Sequence, residues 1–220
     1  MYIPRLYSEE RPAELEAFIA AHPLGALVTA DASGSFFATH LPLIFEGGVL
    51  EGHVARANQH HKLAHSGAEA LVIFTGPNAY VTPSWYPEKA THGRVVPTWN
   101  YVAVHAYGPV RFIDDHEWLL PHLNRLVDRN EAARLAYAGD TRWRVGDAPK
   151  EFIAQQMKAI VGVEIRVTRL EGKWKMSQNR TAEAVEGVVE GLEASPREMD
   201  REVSAIVAAR QAEVREPRPH

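Results

Sequence analysis

Residues 95–112 constrain the fold more than any other stretch. They read Val95-Val96-Pro97-Thr98-Trp99-Asn100-Tyr101-Val102-Ala103-Val104-His105-Ala106-Tyr107-Gly108-Pro109-Val110-Arg111-Phe112. Valine, tyrosine, tryptophan, threonine and phenylalanine dominate, and these suit a pleated, half-buried surface. From Tyr101 onward Val102, Val104 and Ala106 alternate with Tyr101, Ala103, His105 and Tyr107. A period of two predicts a strand with one face in a core. Gly108-Pro109 predicts a kink or bulge before Val110 resumes the strand. The opening Thr98-Trp99-Asn100-Tyr101 places two large aromatics beside a hydroxyl and an amide. It suits a barrel strand whose aromatics are core. It also suits the wall of a site for a flat ring rich in heteroatoms.

The rest of the chain surrounds that strand with more strands and a few helices. Ser8 and the acids after it, with Pro12, predict a helix start, and Leu15, Phe18 and Ile19 give it one apolar face. Strands are predicted over 26–30, 36–45, 49–56, 70–74, 79–86 and 161–170, with Gly76-Pro77 as an interruption. Glu46-Gly47-Gly48 predicts a hairpin turn and Gly172 another. A short helix capped by Asn58 is expected near His60, and residues 87–94 are expected to be a polar loop. Helices are expected over 115–137, with Pro121 in the opening turn, and over 150–160, separated by a loop over 139–149. Many strands with short turns, and helices at the start, middle and end, favour a closed or nearly closed β-barrel with flanking helices over a doubly wound sheet. The motif-bearing domain spans 1–192, followed by a charged helical tail over 193–220 in which Met199, Val203, Ile206 and Val207 make a narrow apolar face.

At 220 residues and a formal net charge of -4, with basic residues scattered, the chain lacks the basic stripe of a dedicated nucleic-acid surface. It has no cysteine, which excludes disulfides and thiolate metal sites. The opening residues lack a signal peptide's apolar core and no apolar run is long enough to cross a bilayer, so a soluble cytoplasmic protein is expected.

Four clusters are more polar and aromatic than a core requires. In Gly52-His53-Val54-Ala55-Arg56-Ala57-Asn58, running on to Lys62, an arginine at a strand end precedes a helix N-terminus. Paired guanidinium bonds, free amides and the helix dipole would all favour an anion. An exposed arginine beside a plain cap is the competing reading. The second cluster is 79–86 and the third 98–101. The fourth is Lys173-Trp174-Lys175-Met176-Ser177-Gln178-Asn179-Arg180, whose donors could serve a phosphate, hydroxyls or ring carbonyls, or could simply be a solvated strand end. His61 and His65 stand four apart on a helix, but no third ligand has matching spacing, so no metal site is expected. There is no Gly-x-Ser-x-Gly elbow, P-loop or dinucleotide fingerprint.

The motifs appear in a fixed order. Met1-Tyr2-Ile3-Pro4, His40-Leu41-Pro42, the 52–58 segment, Gly76 to Tyr86, Val96 to Tyr101, Val104 to Gly108 and Lys173 to Arg180 follow one another along the chain. Together they resemble the PaiB family of FMN-binding negative transcriptional regulators, over residues 1–192. The resemblance implies an FMN-binding split barrel of the kind shared by flavin reductases and pyridoxamine phosphate oxidases. It implies a homodimer with FMN in the cleft between subunits. Arg56, Asn58 and Lys62 would hold the FMN phosphate. Thr98, Trp99, Asn100, Tyr101, Lys175, Gln178 and Arg180 would surround the ring and ribityl chain. Alternation in the strand would turn Thr98 and Asn100 to the flavin, and Trp99 and Tyr101 behind it or across the dimer. The sequence departs from the pattern at Gln59-His60, where a proline is expected.

Three functions are consistent with these residues. One is an FMN-binding regulator, although no helix-turn-helix is visible, so direct DNA contact has weak support. Another is an FMN-dependent oxidoreductase using NAD(P)H, since the flavin itself carries the redox chemistry. The third is a haem-binding or haem-degrading split barrel, with His40 or His105 as iron ligand.

Overall fold

The computed structural model describes residues 1–138 and 141–215. Gly139 and Asp140 of the expected 139–149 loop, and the last five residues of the expected tail, lie outside the described residues. In chain order the elements are β1 (Ser8–Glu9), α1 (Pro12–Ala21), β2 (Leu24–Ala30), β3 (Phe36–Pro42), β4 (Ile44–Glu46), β5 (Val49–Ala55), α2 (His60–Leu63), β6 (Glu69–Val81), α3 (Glu88–Thr91), β7 (Thr98–Ile113), α4 (His116–Ala138), α5 (Lys150–Met157), β8 (Ile160–Arg166), β9 (Arg169–Lys175), α6 (Ala182–Glu193) and α7 (Glu198–Arg215). The pairings are antiparallel. The chain forms two compact units, and the long strands β6 and β7 each contribute to both.

One unit comprises residues 19–74 and 105–170. Here β2 pairs with β3 from Leu24↔Pro42 to Ala30↔Phe36 and with β6 at Ala26↔Ile73. β5 pairs with β4 across the Gly47-Gly48 turn, where both glycines have positive φ. β8 lies between β5 (Val49↔Arg166 to Ala55↔Ile160) and β7 (Val110↔Ile165). Leu27, Leu50, Val72, Phe74, Val110 and Ile165 are almost fully buried, as inward positions of alternating strands should be. Helix α4 brings Trp118, Leu119 and His122 to this unit. Trp118 lies where a side chain on Gly162 would stand, and it stacks on His122 at 5.1 Å. His122 is fully buried and shares a hydrogen bond of 3.1 Å with His53 of β5.

The other unit comprises residues 1–18, 75–104 and 171 onward. β1 pairs with β9 at Ser8↔Lys173 and Glu9↔Gly172. Phe18 meets Trp174 edge-on at 5.3 Å. The carboxylate of Glu9 is buried between Arg11, at 2.6 Å, and Arg210, at 2.6 Å. Burial alone would raise its pKa, but the two guanidinium groups hold it down to about 2. Val188 and Leu192 of α6 and Val203 and Val207 of α7 are buried, and the Ser204 hydroxyl donates to the Val189 carbonyl at 3.0 Å. Of the narrow apolar stripe read from residues 199–207, Val203 and Val207 are part of a core, Ile206 is half-buried and Met199 is exposed.

Several local expectations change. β6 runs through Gly76-Pro77 without a break. Proline fits an extended backbone and lacks only its N–H, so one ladder bond is at stake rather than the strand. The expected strand over 36–45 divides at Leu43, whose N–H donates to the Pro23 carbonyl at 2.9 Å and whose side chain is buried. α4 opens at His116, where Asp115 accepts from the Glu117 amide at 2.9 Å, so Pro121 lies inside the helix and not in its opening turn. Pro121 is exposed and loses one backbone bond near the helix start. Residues expected as a polar loop include the short α3. Gly172 lies within β9 and not at a turn. A side chain there would collide with Leu15 and the Glu9 carbonyl.

The buried His122 generates a pH dependence. Burial first, then the neighbouring His53 and Arg125, hold His122 down to about 4 from 6.5. Glu51 faces its other nitrogen at 3.7 Å. The unfolded chain therefore binds the proton first. The contribution is full above about pH 6.5 and is lost as pH falls towards 4, an effect on the order of 3 kcal/mol. Urea denaturation of the wild type and of His122→Gln across this window should show the wild type losing more stability. Parallel pH profiles would contradict the assignment.

Candidate functional site

The end of β9 and the turn after it gather more polar donors than any neighbouring segment. The turn is tightly determined. Ser177 has a φ of 61°, rare for a residue with a side chain. Gln178 holds it by accepting from the Met176 amide and donating to the Trp174 carbonyl, both at 2.6 Å. The Arg180 amide donates to the Ser177 carbonyl at 3.0 Å.

The start of β7 meets this turn. Asn100 is fully buried, and its Nδ2 donates to Ser177 Oγ at 3.0 Å. Lys175 Nζ donates to the Trp99 carbonyl at 2.6 Å and also to the Thr98 hydroxyl. Two stretches about seventy-seven residues apart in sequence are thus joined by side chains. Alternation along β7 leaves Trp99 49% exposed while Asn100 is inside. Trp99 meets Tyr80, itself 46% exposed, edge-on at 6.0 Å.

Cations and aromatic rings cluster around the same turn. Lys173 is buried, donates to the Tyr2 carbonyl at 3.0 Å, and lies 5.2 Å from the ring centre of Tyr101. The Arg180 guanidinium stands 4.5 Å over the Tyr86 ring. Tyr86 is buried, and its hydroxyl has no hydrogen bond of normal geometry. Burial pushes the Lys175 ammonium below the ordinary lysine value, and the charges of Lys173 and Arg180 add to the effect.

Arg56, Asn58 and Lys62 belong to the other unit. Arg56 forms two bonds with the Asp114 carboxylate, at 2.8 and 2.5 Å, and donates to the carbonyls of Lys158 and Ile160 at 2.7 and 3.1 Å. Asn58 accepts from the His60 amide and donates to the Thr39 hydroxyl, each at 3.0 Å. Lys62 is exposed. His60, at the departure from the family pattern, is fully buried, with Thr29 and Thr39 hydroxyls 2.9 Å from its two nitrogens. His61 donates to the Asn58 carbonyl at 2.7 Å. His40 is exposed, and His105 lies 3.4 Å from the Tyr107 hydroxyl.

Sequence reasoning missed how the 82–86 segment is held. Trp85 packs on α6 where Gly187 and Gly191 offer no side chains: a Cβ on Gly187 would overlap the Trp85 carbonyl and one on Gly191 would overlap the indole. Two glycines four apart on a helix stand one above the other and make a smooth notch. That spacing was the available signal.

Residues 1–169 match the family described as "Putative FMN-binding domain". The protease synthase and sporulation protein PAI 2 of Bacillus subtilis is 32% identical, over 88% of this chain and 89% of its own. An uncharacterized protein of Aspergillus fumigatus is 34% identical, over 96% of this chain and 97% of its own. The chain belongs to the PaiB family. Among solved structures, the FAD and heme binding protein from Mycobacterium smegmatis is 16% identical with a TM-score of 0.58, covering 84% of this chain and 80% of that one. That likeness shows the fold, a split barrel with a mostly antiparallel sheet and flanking helices. FMN is the cofactor that goes with the family.

In this PaiB-family chain the Trp85 notch can be tested directly. Gly191→Ala would drive a methyl group into the indole, and overpacking of this kind costs about 1–3 kcal/mol. Urea denaturation should show that loss, with a red shift in tryptophan emission as Trp85 is displaced. Unchanged stability and emission would mean that the indole is not held by the notch.

Proposed function

We propose that this chain is an FMN-binding protein of PaiB type that binds its flavin as a homodimer and acts in regulation. The observation that carries the reading is the junction of Lys175 with Thr98 and Trp99, set beside exposed aromatics. A flavin needs flat apolar walls and hydrogen-bond donors at its edge. Trp99, Tyr101 and Tyr80 supply the first, and Thr98 supplies the second, with Lys175 and Arg180 as nearby cations. The residues present therefore fit the cofactor in kind. The Tyr86 hydroxyl, buried beside the Arg180 guanidinium without a hydrogen bond of normal geometry, is a further polar group at this place. When bound, FMN would supply electron transfer, while the protein binds and orients it.

Within this assignment Asn100 is a positioning residue. It is buried against Ser177 and holds the turn that carries Lys175 and Arg180. Arg56 already has Asp114 as a counter-charge, so its contribution to flavin affinity should be small. Regulation would not need direct DNA contact, consistent with the net charge of -4.

The absorption spectrum of the protein as isolated, with titration of FMN into stripped protein, tests the cofactor. Flavin bands and saturable quenching are expected, and their absence would remove the reading. Asn100→Ala leaves the buried Ser177 hydroxyl without its partner, so a stability loss of about 1–3 kcal/mol is expected together with weaker FMN binding. Unchanged FMN affinity in a destabilised variant would leave Asn100 a purely structural role.

The exposed pair Tyr80 and Trp99 fits a subunit interface, where aromatic residues are enriched. Sedimentation should give a dimer at micromolar concentration, with Trp99→Glu shifted to monomer. A wild-type monomer would exclude the dimer.

A further inference from the structure

Charge accounting separates Arg56 from the basic residues at the end of β9 and in the turn after it. Arg56 is matched: Asp114 binds it through both carboxylate oxygens. Lys173, Lys175 and Arg180 are not matched. They lie on β9 and the turn after it, within one unit, with Lys173 buried and the other two half-buried. Among the described residues none of the three has a carboxylate within 4.0 Å. Of the neighbouring acids, Glu171 forms an ion pair with the Met1 amine. Glu88 accepts from the Thr181 hydroxyl at 3.3 Å through one oxygen, while its other oxygen is buried without a hydrogen-bond partner and more than 4.0 Å from the three cations.

Donor accounting points the same way. An ammonium has three N–H donors and a guanidinium has five. Lys175 spends two, on Thr98 and Trp99. Lys173 spends one on the Tyr2 carbonyl and otherwise faces the rings of Tyr2 and Tyr101 at 5.6 and 5.2 Å. Arg180 lies against Tyr86, whose buried hydroxyl has no hydrogen bond of normal geometry. Bonds to neutral carbonyls explain single donors, which a glutamine could also supply. They do not explain three positive charges drawn out of water side by side, each raising the energy of the others. Burial first, and then the charges of Lys173 and Arg180, push the Lys175 ammonium below the ordinary lysine value.

We propose that Lys173, Lys175 and Arg180, with the Tyr86 hydroxyl, form a binding site for a phosphate monoester dianion. The phosphate is either that of FMN or that of a second phosphorylated small molecule. The inference rests on the flavin reading only for the first source.

The test has two arms, on the whole chain. In the first, melting is followed in inorganic phosphate and in chloride at matched ionic strength, for the wild type, Lys173→Met/Lys175→Met and Lys175→Gln. The glutamine variant keeps an amide donor for the Trp99 carbonyl and guards against a simple folding defect. Phosphate stabilises proteins generally by exclusion from their surface, and that part acts equally on all three. The site predicts an additional rise in Tm for the wild type alone. It also predicts that the glutamine variant melts no lower than the wild type in chloride, because a repelling charge has gone.

In the second arm FMN and riboflavin are titrated into the same proteins. If the phosphate is that of FMN, the wild type prefers FMN by about tenfold or more, and the double variant loses the preference. Arg56→Ala keeps it. If the phosphate belongs to a second ligand, the preference is unchanged. Inorganic phosphate then still protects the FMN-saturated wild type and not the FMN-saturated variant. Equal phosphate effects together with equal FMN preference in wild type and variants would overturn the site. A lysine-dependent phosphate shift in a protein that binds no flavin would keep the site and reject the flavin reading.

Discussion

The ammonium of Lys175 joins the start of β7 to the end of β9, and the candidate site depends on that join. It donates to a side-chain hydroxyl and a backbone carbonyl of β7, and carries a charge that no acid neutralises. Such a group fixes geometry cheaply only if something else shares its charge. Asn100 and Ser177 stand beside it as the neutral counterpart, two buried polar groups that satisfy one another. The neutral pair sets the shape of the turn. The lysine is left with charge to spare.

That turn would not hold its position alone. Behind it, α6 receives Trp85 on two glycines, and α7 sends Arg210 back to Glu9 and over the Trp174 ring at 5.2 Å. Trp174 lies one residue from both lysines. The C-terminal helices therefore brace the strand that carries the cations. Residues far from any motif fix the placement of residues within one.

Much of the fold could be read from periodicity. Alternation in residues 101–107 and 161–167 gave β7 and β8, and the glycine pair gave the β4–β5 turn. What could not be read was pairing that breaks or preserves an element against local signals. Gly76-Pro77 looks like an interruption until a neighbour satisfies the strand. Gly172 looks like a turn until Leu15 claims its missing side chain. Of the candidate site, the meeting of Thr98–Asn100 with Lys175–Ser177 was legible as two donor-rich stretches needing a common partner. The engagement of Arg56 was not, because nothing local announces that Asp114 lies fifty-eight residues on at its guanidinium. Lys173 and Tyr86 stood in two of the polar clusters, but their burial, unusual for a lysine, is a property of the packed unit and could not be read.

The bond between His53 and His122 has one further consequence. Each neutral imidazole carries a single proton, so one ring must give and the other receive. The Glu51 carboxylate, on the far side of His122, favours a proton at its Nδ1, which leaves Nε2 to accept from His53. The tautomers of two rings on separate elements are thereby correlated. An aliphatic contact between a helix and a sheet can slip by a turn and lose little. A paired set of ring protons has one alignment, so α4 is indexed to β5 as a key is to its wards.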